Sequence, residues 1–191
     1  MRSFPLSALA VVSVTASVAG GADLDRRGTT RTGSVPQPNA VVWLEARDAT
    51  AAAQTHRVVL DQRNLAFSPH VLAVRIGTTV DFPNNDRVFH NVFSFHDGKR
   101  FDLGMYPIGT MRRVTFDRPG LSRIFCNIHP NMAAYVIAVD SPYFGISDDA
   151  GAFTIPAVPP GTYTYHAWRP GGPTLTGVWM AGRTVLEIQW P

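Results

Sequence analysis

Cysteine is almost absent from this chain, since Cys126 is the only one among 191 residues. An internal disulfide is therefore excluded, and the thiol is free, bound to a ligand or paired with another chain. Charged residues are also scarce, at 16% against 45% hydrophobic residues, and there are 16 glycines and 15 prolines. This composition excludes a highly charged disordered chain and is typical of a compact, turn-rich β protein.

Lysine is equally rare, so arginines carry most of the positive charge, with a formal net charge of +3. The arginines are scattered through candidate strands and turns instead of forming one run. This distribution predicts no nucleic-acid-binding surface. Solvated surface positions are the simpler interpretation, and the alternative is a docking patch for an acidic protein partner. The residues concerned are Arg87, Arg112, Arg113, Arg118 and Arg123.

Long apolar runs are missing after the N-terminus. Residues 1–22 contain Arg2, then an apolar stretch and then small residues, which is the layout of a secretory signal peptide. The stretch is too short for a comfortable transmembrane helix, and cleavage after Ala19 or Ala22 fits. We expect a periplasmic or secreted protein with no stable membrane insertion. The alternative is a buried N-terminal helix.

After the N-terminal segment, apolar residues do not repeat with the period of a helix over any long stretch. Short strand-like runs alternate with turns instead. Residues 23–39 are polar and rich in Arg, Thr, Gly and Pro, and we interpret them as a linker. Residues 40–54 contain the first strand candidate, at 41–44. Closely spaced strands predict an all-β sandwich over 55–139, and further strands cover 140–191. The last segment alone is short for an independent sandwich without a disulfide.

The loop 126–132 is the most informative about chemistry, and it reads Cys-Asn-Ile-His-Pro-Asn-Met. It combines the thiol of Cys126, the imidazole of His129 and the thioether of Met132. These are the ligand types that a redox-active copper ion prefers. Such a site also needs a second imidazole from a neighbouring strand.

His90 is the candidate for this second imidazole. Period-two alternation in the predicted strand 88–95 places His90 on one face with Val88 and Val92, directed towards a core. Considered alone, a histidine on such a face would be interpreted as a core residue whose hydrogen bonds are made within the protein. Its combination with the loop 126–132 favours the interpretation of His90 as a metal ligand.

The loop, together with His90-Asn91-Val92, resembles the type 1 copper centre of the cupredoxins. The short Cys-x-x-His-x-x-Met spacing is similar to that of amicyanin and pseudoazurin. The resemblance covers roughly residues 57–139 and implies a Greek-key β-sandwich with one type 1 copper ion. It also implies that Asn91 fixes the copper loop by hydrogen bonding. The ligands that it implies are His90, Cys126 and His129 in the plane, and Met132 in the axial position.

Residues 143–168 resemble a second family, the transthyretin-like, carboxypeptidase regulatory-type β-sandwich. The resemblance rests on Ser147-Asp148-Asp149-Ala150-Gly151-Ala152-Phe153 and on Pro159-Pro160-Gly161-Thr162-Tyr163. Members usually open with Gly-x-Val and an apolar strand, and Gly33-Ser34-Val35 and residues 40–44 stand before the copper domain. We therefore hypothesise that the copper domain is inserted in sequence into a small second sandwich.

The first resemblance implies a one-electron carrier, not an enzyme, that cycles between Cu(II) and Cu(I) and docks briefly with redox protein partners. Four protein ligands leave no open position for a substrate. The electron port implied by the family is the exposed edge of His129. Candidates for an apolar patch around it are Phe89, Met105 and Pro130.

Several alternatives stay open. The same ligands suit a copper carrier or storage protein without redox turnover. Another alternative is a binding or scaffold module with a structural metal, in which aromatic residues of the last strands recognise a ligand such as a glycan. A thiol enzyme lacks a third orienting group in the sequence. His96 could replace a weak axial ligand or define a second metal site. His70 is expected in an exposed turn, and His166, on a strand beside Trp168, is expected to pack against its neighbours. The aromatic residues considered are Tyr163, Tyr165, Trp168, Trp179 and Trp190.

Overall fold

The computed structural model describes residues 24–45, 57–95 and 97–191. Within these ranges the chain is all-β, with eighteen strands and no helix. The described part of the chain accordingly offers no helix that is long and apolar enough to cross a membrane. The predicted signal peptide and His96 lie outside the described residues.

Three strands precede the gap at residue 46, ten lie between residues 58 and 139, and five follow. The first three are β1 (Leu24–Thr32), β2 (Val35–Pro36) and β3 (Val41–Leu44). The next ten are β4 (Val58–Val59), β5 (Asp61–Arg63), β6 (Ala66–Ser68), β7 (Val71–Arg75), β8 (Thr78–Pro83), β9 (His90–Ser94), β10 (Phe101–Tyr106), β11 (Met111–Phe116), β12 (Gly120–Phe125) and β13 (Ala133–Val139). The last five are β14 (Phe144–Ile146), β15 (Ala152–Val158), β16 (Gly161–Trp168), β17 (Leu175–Ala181) and β18 (Leu186–Trp190).

Strands β4 to β13 form a sandwich, which we call the first sandwich. One sheet has the order β10-β9-β12-β13-β7, the other has the order β11-β8-β4, and β5 and β6 form a two-stranded hairpin. The chain crosses between the two larger sheets after β7, β8, β10 and β11, as expected for the predicted Greek-key fold. Alternate side chains point between these sheets, and their core includes Phe82, Ile124 and Val136.

Strands β1 to β3 and β14 to β18 form a second sandwich. Its sheets have the orders β15-β1-β18, with β2 paired to β1, and β14-β3-β16-β17. Each sheet contains a central strand that precedes the first sandwich in sequence, because β1 and β3 each have neighbours on both sides. The core between these sheets includes Leu44, Ile155 and Trp190. The second sandwich therefore encloses the first in sequence.

The linker predicted for residues 23–39 is wrong, because most of this segment is strand. β1 pairs antiparallel with β15 and parallel with β18. Its inward positions are small or polar: Gly28 lies against the ring of Phe153, and the buried hydroxyl of Thr30 donates to the Gln37 carbonyl at 2.6 Å. The composition concealed the strand because its neighbours supply most of the apolar surface.

The two sandwiches share a buried junction between one sheet of each. Val71 on β7 belongs to the same hydrophobic cluster as Val41 on β3 and Trp168 on β16. Val42, which points to the opposite face of β3, belongs to the core of the second sandwich. β3 is thus buried on both faces, which explains the unbroken apolar run Val41–Leu44.

Candidate metal centre

The loop 126–132 connects two strands that are paired up to its ends. Two backbone hydrogen bonds close it. The N–H of Cys126 donates to the carbonyl of Met132 at 3.3 Å, and the N–H of Met132 donates to the carbonyl of His129 at 2.9 Å. Pro130 restricts the backbone directly after His129. The loop therefore holds the Cys126 and His129 side chains on a constrained backbone.

His90 is the first residue of β9, which lies between β10 and β12. Its side chain and that of Val92 are fully buried. Val88 lies before the strand and is 42% exposed, so the buried face predicted to begin at Val88 begins at His90. The adjacent strand β12 ends directly before Cys126. The sheet order therefore brings His90 next to the loop.

Three of the predicted ligands meet in one cluster. The Sγ atom of Cys126 lies 3.9 Å from Nδ1 of His90 and 3.7 Å from Nδ1 of His129, and the two Nδ1 atoms are 3.0 Å apart. Among the described residues, these three side chains form the candidate metal-binding group, and their ligand atoms all lie within 4.8 Å of one another. Bonds of about 2.0 Å from one ion to imidazole and about 2.3 Å to thiolate leave separations of this size.

The donor set narrows the choice of ion. One thiolate and two imidazoles do not suit magnesium or calcium, which prefer oxygen ligands, whereas two His and one Cys with a weak axial ligand are typical of copper. The donors present therefore fit a copper ion. Met132 is buried and belongs to the same core cluster as Cys126. Its axial role stays a prediction.

Asp86 is a site residue that the sequence reasoning missed. Its Oδ2 atom lies 2.9 Å from Nε2 of His90 and also accepts the backbone N–H of Leu65 at 2.7 Å. Its Oδ1 atom accepts the N–H of Arg87 at 2.8 Å. A carboxylate four residues before a candidate ligand histidine was the available signal, because ligand histidines usually donate their second N–H to such a group.

The carboxyl group of Asp86 is held in its ionised form. Burial alone would raise its pKa, but the hydrogen bonds from the Leu65 and Arg87 backbones and from His90 outweigh burial and lower the pKa from 3.8 to about 2. An ionised carboxylate accepts but cannot donate, so a hydrogen bond at this contact needs a proton on Nε2 of His90. In a neutral imidazole, Nδ1 would then carry the lone pair that faces the cluster.

Asn91 does not make the predicted contact with the copper loop. Its side-chain amide donates to Oδ1 of Asp102 on β10 at 2.7 Å. The Oδ1 atom of Asn91 is buried and has no hydrogen-bond partner among the described residues. Because Asn91 follows the buried His90 in an extended strand, its side chain projects from the opposite face and reaches β10 instead.

The other described histidines lie elsewhere. His70 is exposed, as the predicted turn position implies, and its ring makes a T-shaped contact with the ring of Tyr135. His166 stacks on Trp43, and its Nε2 lies 2.8 Å from Oε1 of Glu45. The prediction for His96 falls outside the described residues. None of the histidines placed here, apart from His90 and His129, therefore joins the donor cluster.

The aromatic residues of the last strands serve mainly in packing. Trp179 and Trp190 are buried in the core of the second sandwich, and Trp168 is buried at the junction. Tyr163 and Tyr165 are partly buried against the same core. An exposed row of aromatic rings for glycan stacking is therefore not formed by these five side chains.

Exposed apolar residues adjoin the ligands in sequence and in strand register. Phe89 precedes His90, Ile128 precedes His129, and Met105 pairs with Asn91 across β10 and β9. We call this set the apolar rim, together with Val88 directly before Phe89, Leu65, whose N–H binds Asp86, and Ile108, two residues after the His90 partner Tyr106. All six are classed among the exposed large hydrophobic residues of the chain. Phe89 and Met105 were predicted to be part of such a patch, and Pro130 is exposed as well.

Known proteins resemble parts of this chain. A family model described as polysaccharide lyase family 4, domain II, matches residues 140–183. This family differs from the transthyretin-like one predicted for residues 143–168, which stays a prediction. No curated protein matches the chain.

The similar solved structures include copper proteins. A purple cupredoxin from Nitrosopumilus maritimus is 26% identical, with 44% of this chain and 98% of its own covered and a TM-score of 0.39. A copper-containing nitrite reductase (NirK) from Thermus scotoductus SA-01 is 25% identical, with 58% and 28% covered and a TM-score of 0.42. An amicyanin variant is 20% identical, with 51% and 98% covered and a TM-score of 0.41. The similarity is thus to cupredoxins, at low identity and over part of the chain.

Proposed function

We propose that this protein is a periplasmic or secreted one-electron carrier with one type 1 copper ion. The observation that carries the proposal is the cluster of two imidazole nitrogens and one thiol sulfur within 4.8 Å. His90, Cys126 and His129 would hold the ion, and Met132 would be a weak fourth ligand. Bound copper would supply a one-electron couple between Cu(II) and Cu(I).

The protein residues around the cluster favour electron transfer over catalysis. His90 and Cys126 are buried, so they exclude water from most of the site, whereas His129 is only partly buried. The closed loop 126–132 limits movement of two ligands when the charge of the site changes. Three strong protein ligands and a thioether leave no position for a substrate. His129 is the proposed route between the site and the surface.

The apolar rim is the proposed docking surface for a redox protein partner. Its side chains can be desolvated at little cost, and a small apolar contact suits a complex that forms and dissociates quickly. Export is proposed from the signal-peptide layout of residues 1–22. The partner would accordingly be a redox protein of the same compartment.

The second sandwich is proposed to be a non-catalytic unit of the carboxypeptidase regulatory, transthyretin-like kind. Support comes from the turn sequences in residues 147–163 and from the pairing of β1 and β3 with the C-terminal strands. In this proposal it supports the first sandwich through the junction and takes no part in electron transfer.

Visible absorption of the copper-loaded, oxidised protein tests the proposed function. We expect an intense thiolate-to-copper band in the parent and its loss in Cys126→Ala, because the transition originates on the thiolate. Ascorbate should bleach the band and an oxidant should restore it. A band that does not respond to either reagent would favour a copper carrier without redox turnover. Absence of the band from the parent would contradict the type 1 assignment.

A further inference from the structure

One oxygen atom of Asp86 joins a metal ligand to the backbone of a distant turn. The Oδ2 atom accepts the N–H of Leu65 at 2.7 Å and lies 2.9 Å from Nε2 of His90. His90 is fully buried, and Asp86 is 8% exposed. Two donors on one buried oxygen fix its position, so the imidazole ring of His90 has a defined orientation.

The segment that carries Asp86 is itself fixed. Oδ1 of Asn84 accepts the N–H of Asp86 at 3.1 Å, and the side-chain amide of Asn84 donates to the carbonyls of Val88 at 2.9 Å and Tyr106 at 3.1 Å. Asn84 is completely buried. The backbone that carries the carboxylate is thus held by three hydrogen bonds of a buried side chain, and the carboxylate meets the His90 ring from this supported position.

We infer that Asp86 is the positioning residue of His90, which keeps the proton on Nε2 and lowers the reduction potential of the site. The inference rests on the proposed copper function. A negative charge hydrogen-bonded to a ligand imidazole makes that imidazole a stronger donor, and this stabilises Cu(II) relative to Cu(I). The carboxylate therefore has an electronic effect in addition to its structural one.

Asp86→Asn is the informative variant, and Asp102→Asn is its matched control. Both remove one carboxylate charge from the neighbourhood of β9, but Asp102 binds Asn91 and the backbone N–H of Gly104 and does not touch a ligand. We expect Asp86→Asn to raise the reduction potential so that the Cu(II)/Cu(I) ratio at a fixed potential falls about tenfold, or about 59 mV. The control should shift the potential much less. Equal shifts in the two variants would overturn the inference.

Nitrogen-15 NMR of the metal-free full-length protein provides a second test, which needs no variant to fold. We expect His90 to carry its proton on Nε2 and to leave Nδ1 unprotonated. A proton on Nδ1 with an unprotonated Nε2 would overturn the inference. This test is independent of the copper band: if the parent lacks the band, the proposed function fails, whereas the tautomer reports on Asp86 alone.

Discussion

The two candidate imidazole ligands have different surroundings. His90 is fully buried and bonded to Asp86, whereas His129 lies on the loop and is partly exposed. A buried histidine bonded to a carboxylate contributes to the stability of the fold even without metal, because its removal leaves a cavity and an unpaired acceptor. A partly exposed histidine contributes much less. Replacement of His90 should therefore lower both stability and metal binding, whereas replacement of His129 should lower mainly metal binding.

The first prediction compares His90→Ala with His129→Ala in the metal-free protein. We expect His90→Ala to lower the free energy of unfolding by about 2–4 kcal/mol, and His129→Ala by less than about 1 kcal/mol. Urea unfolding measures both values. Each variant lacks one imidazole, so they control for each other. Equal losses would contradict the difference in burial.

The second prediction concerns the pH dependence of stability through Asp86. Because folding lowers its pKa from 3.8 to about 2, its ionised form stabilises the fold above pH 3.8, and this contribution is lost as the pH falls towards 2. Unfolding free energies of the metal-free parent and Asp86→Asn should therefore differ most above pH 3.8 and converge at lower pH. Asp102→Asn serves as the control. A constant difference over this range would contradict the assignment.

At the scale of elements, the turn between β5 and β6 has an unusual backbone. Asn64 and Leu65 have φ values of 54° and 58°, which is the left-handed conformation of a tight hairpin turn. Asparagine tolerates it, but leucine has a Cβ that disfavours it. The Leu65 N–H nevertheless binds Asp86 and its side chain is 51% exposed. Leu65 therefore has a strained backbone conformation next to the proposed metal site.

The third prediction is that Leu65→Gly stabilises the protein. Glycine adopts a positive φ without the Cβ penalty and keeps the N–H that Asp86 accepts, so we expect the free energy of unfolding to rise by about 0.5–1 kcal/mol. Ala66→Gly, at the neighbouring exposed position of β6, is the control and should lower it by a similar amount. Thermal or urea unfolding distinguishes the two. Destabilisation by Leu65→Gly would show that the leucine side chain has a packing role.

Elements differ in how clearly the sequence predicts them. β3 has the predicted bounds, because its continuous apolar residues indicate burial directly. β1 was missed because Gly28 and Thr30 occupy its inward positions. When neighbouring strands supply the apolar contacts of a strand, its own sequence gives little indication that it is a buried strand.

At the scale of the whole molecule, the second sandwich depends on residues before the first. β1 lies between β15 and β18, and β3 lies between β14 and β16. Without these two strands, the C-terminal strands have unpaired backbone groups at the centre of both sheets. The large apolar side chains of β18, such as Trp190, also lose part of their core.

The fourth prediction is that a fragment of residues 140–191 does not fold as a stable monomer. Limited proteolysis should fail to release a folded fragment of this length, because the loss of β1 and β3 removes central strands from both sheets. Circular dichroism and gel filtration of the isolated fragment provide the measurement. The matched control is the full chain cut at a single engineered site within 46–56, which keeps all eighteen described strands. A stable, monomeric 140–191 fragment would contradict the nested arrangement.

The sequence alone predicted the all-β class and the candidate donors His90, Cys126 and His129, from strand alternation, the spacing within the loop and the resemblance to cupredoxins. The sheet order brought these donors together. Tertiary structure decided that Asp86 supports His90, that Asn91 turns towards Asp102, and that the polar segment of β1 is a central strand. These features depend on pairing that the local pattern does not fix: Asp86 is oriented by the N–H of Leu65, Asn91 by the neighbouring strand β10, and β1 by β15 and β18. The direction of a hydrogen bond and the source of a strand's apolar contacts are set by that pairing.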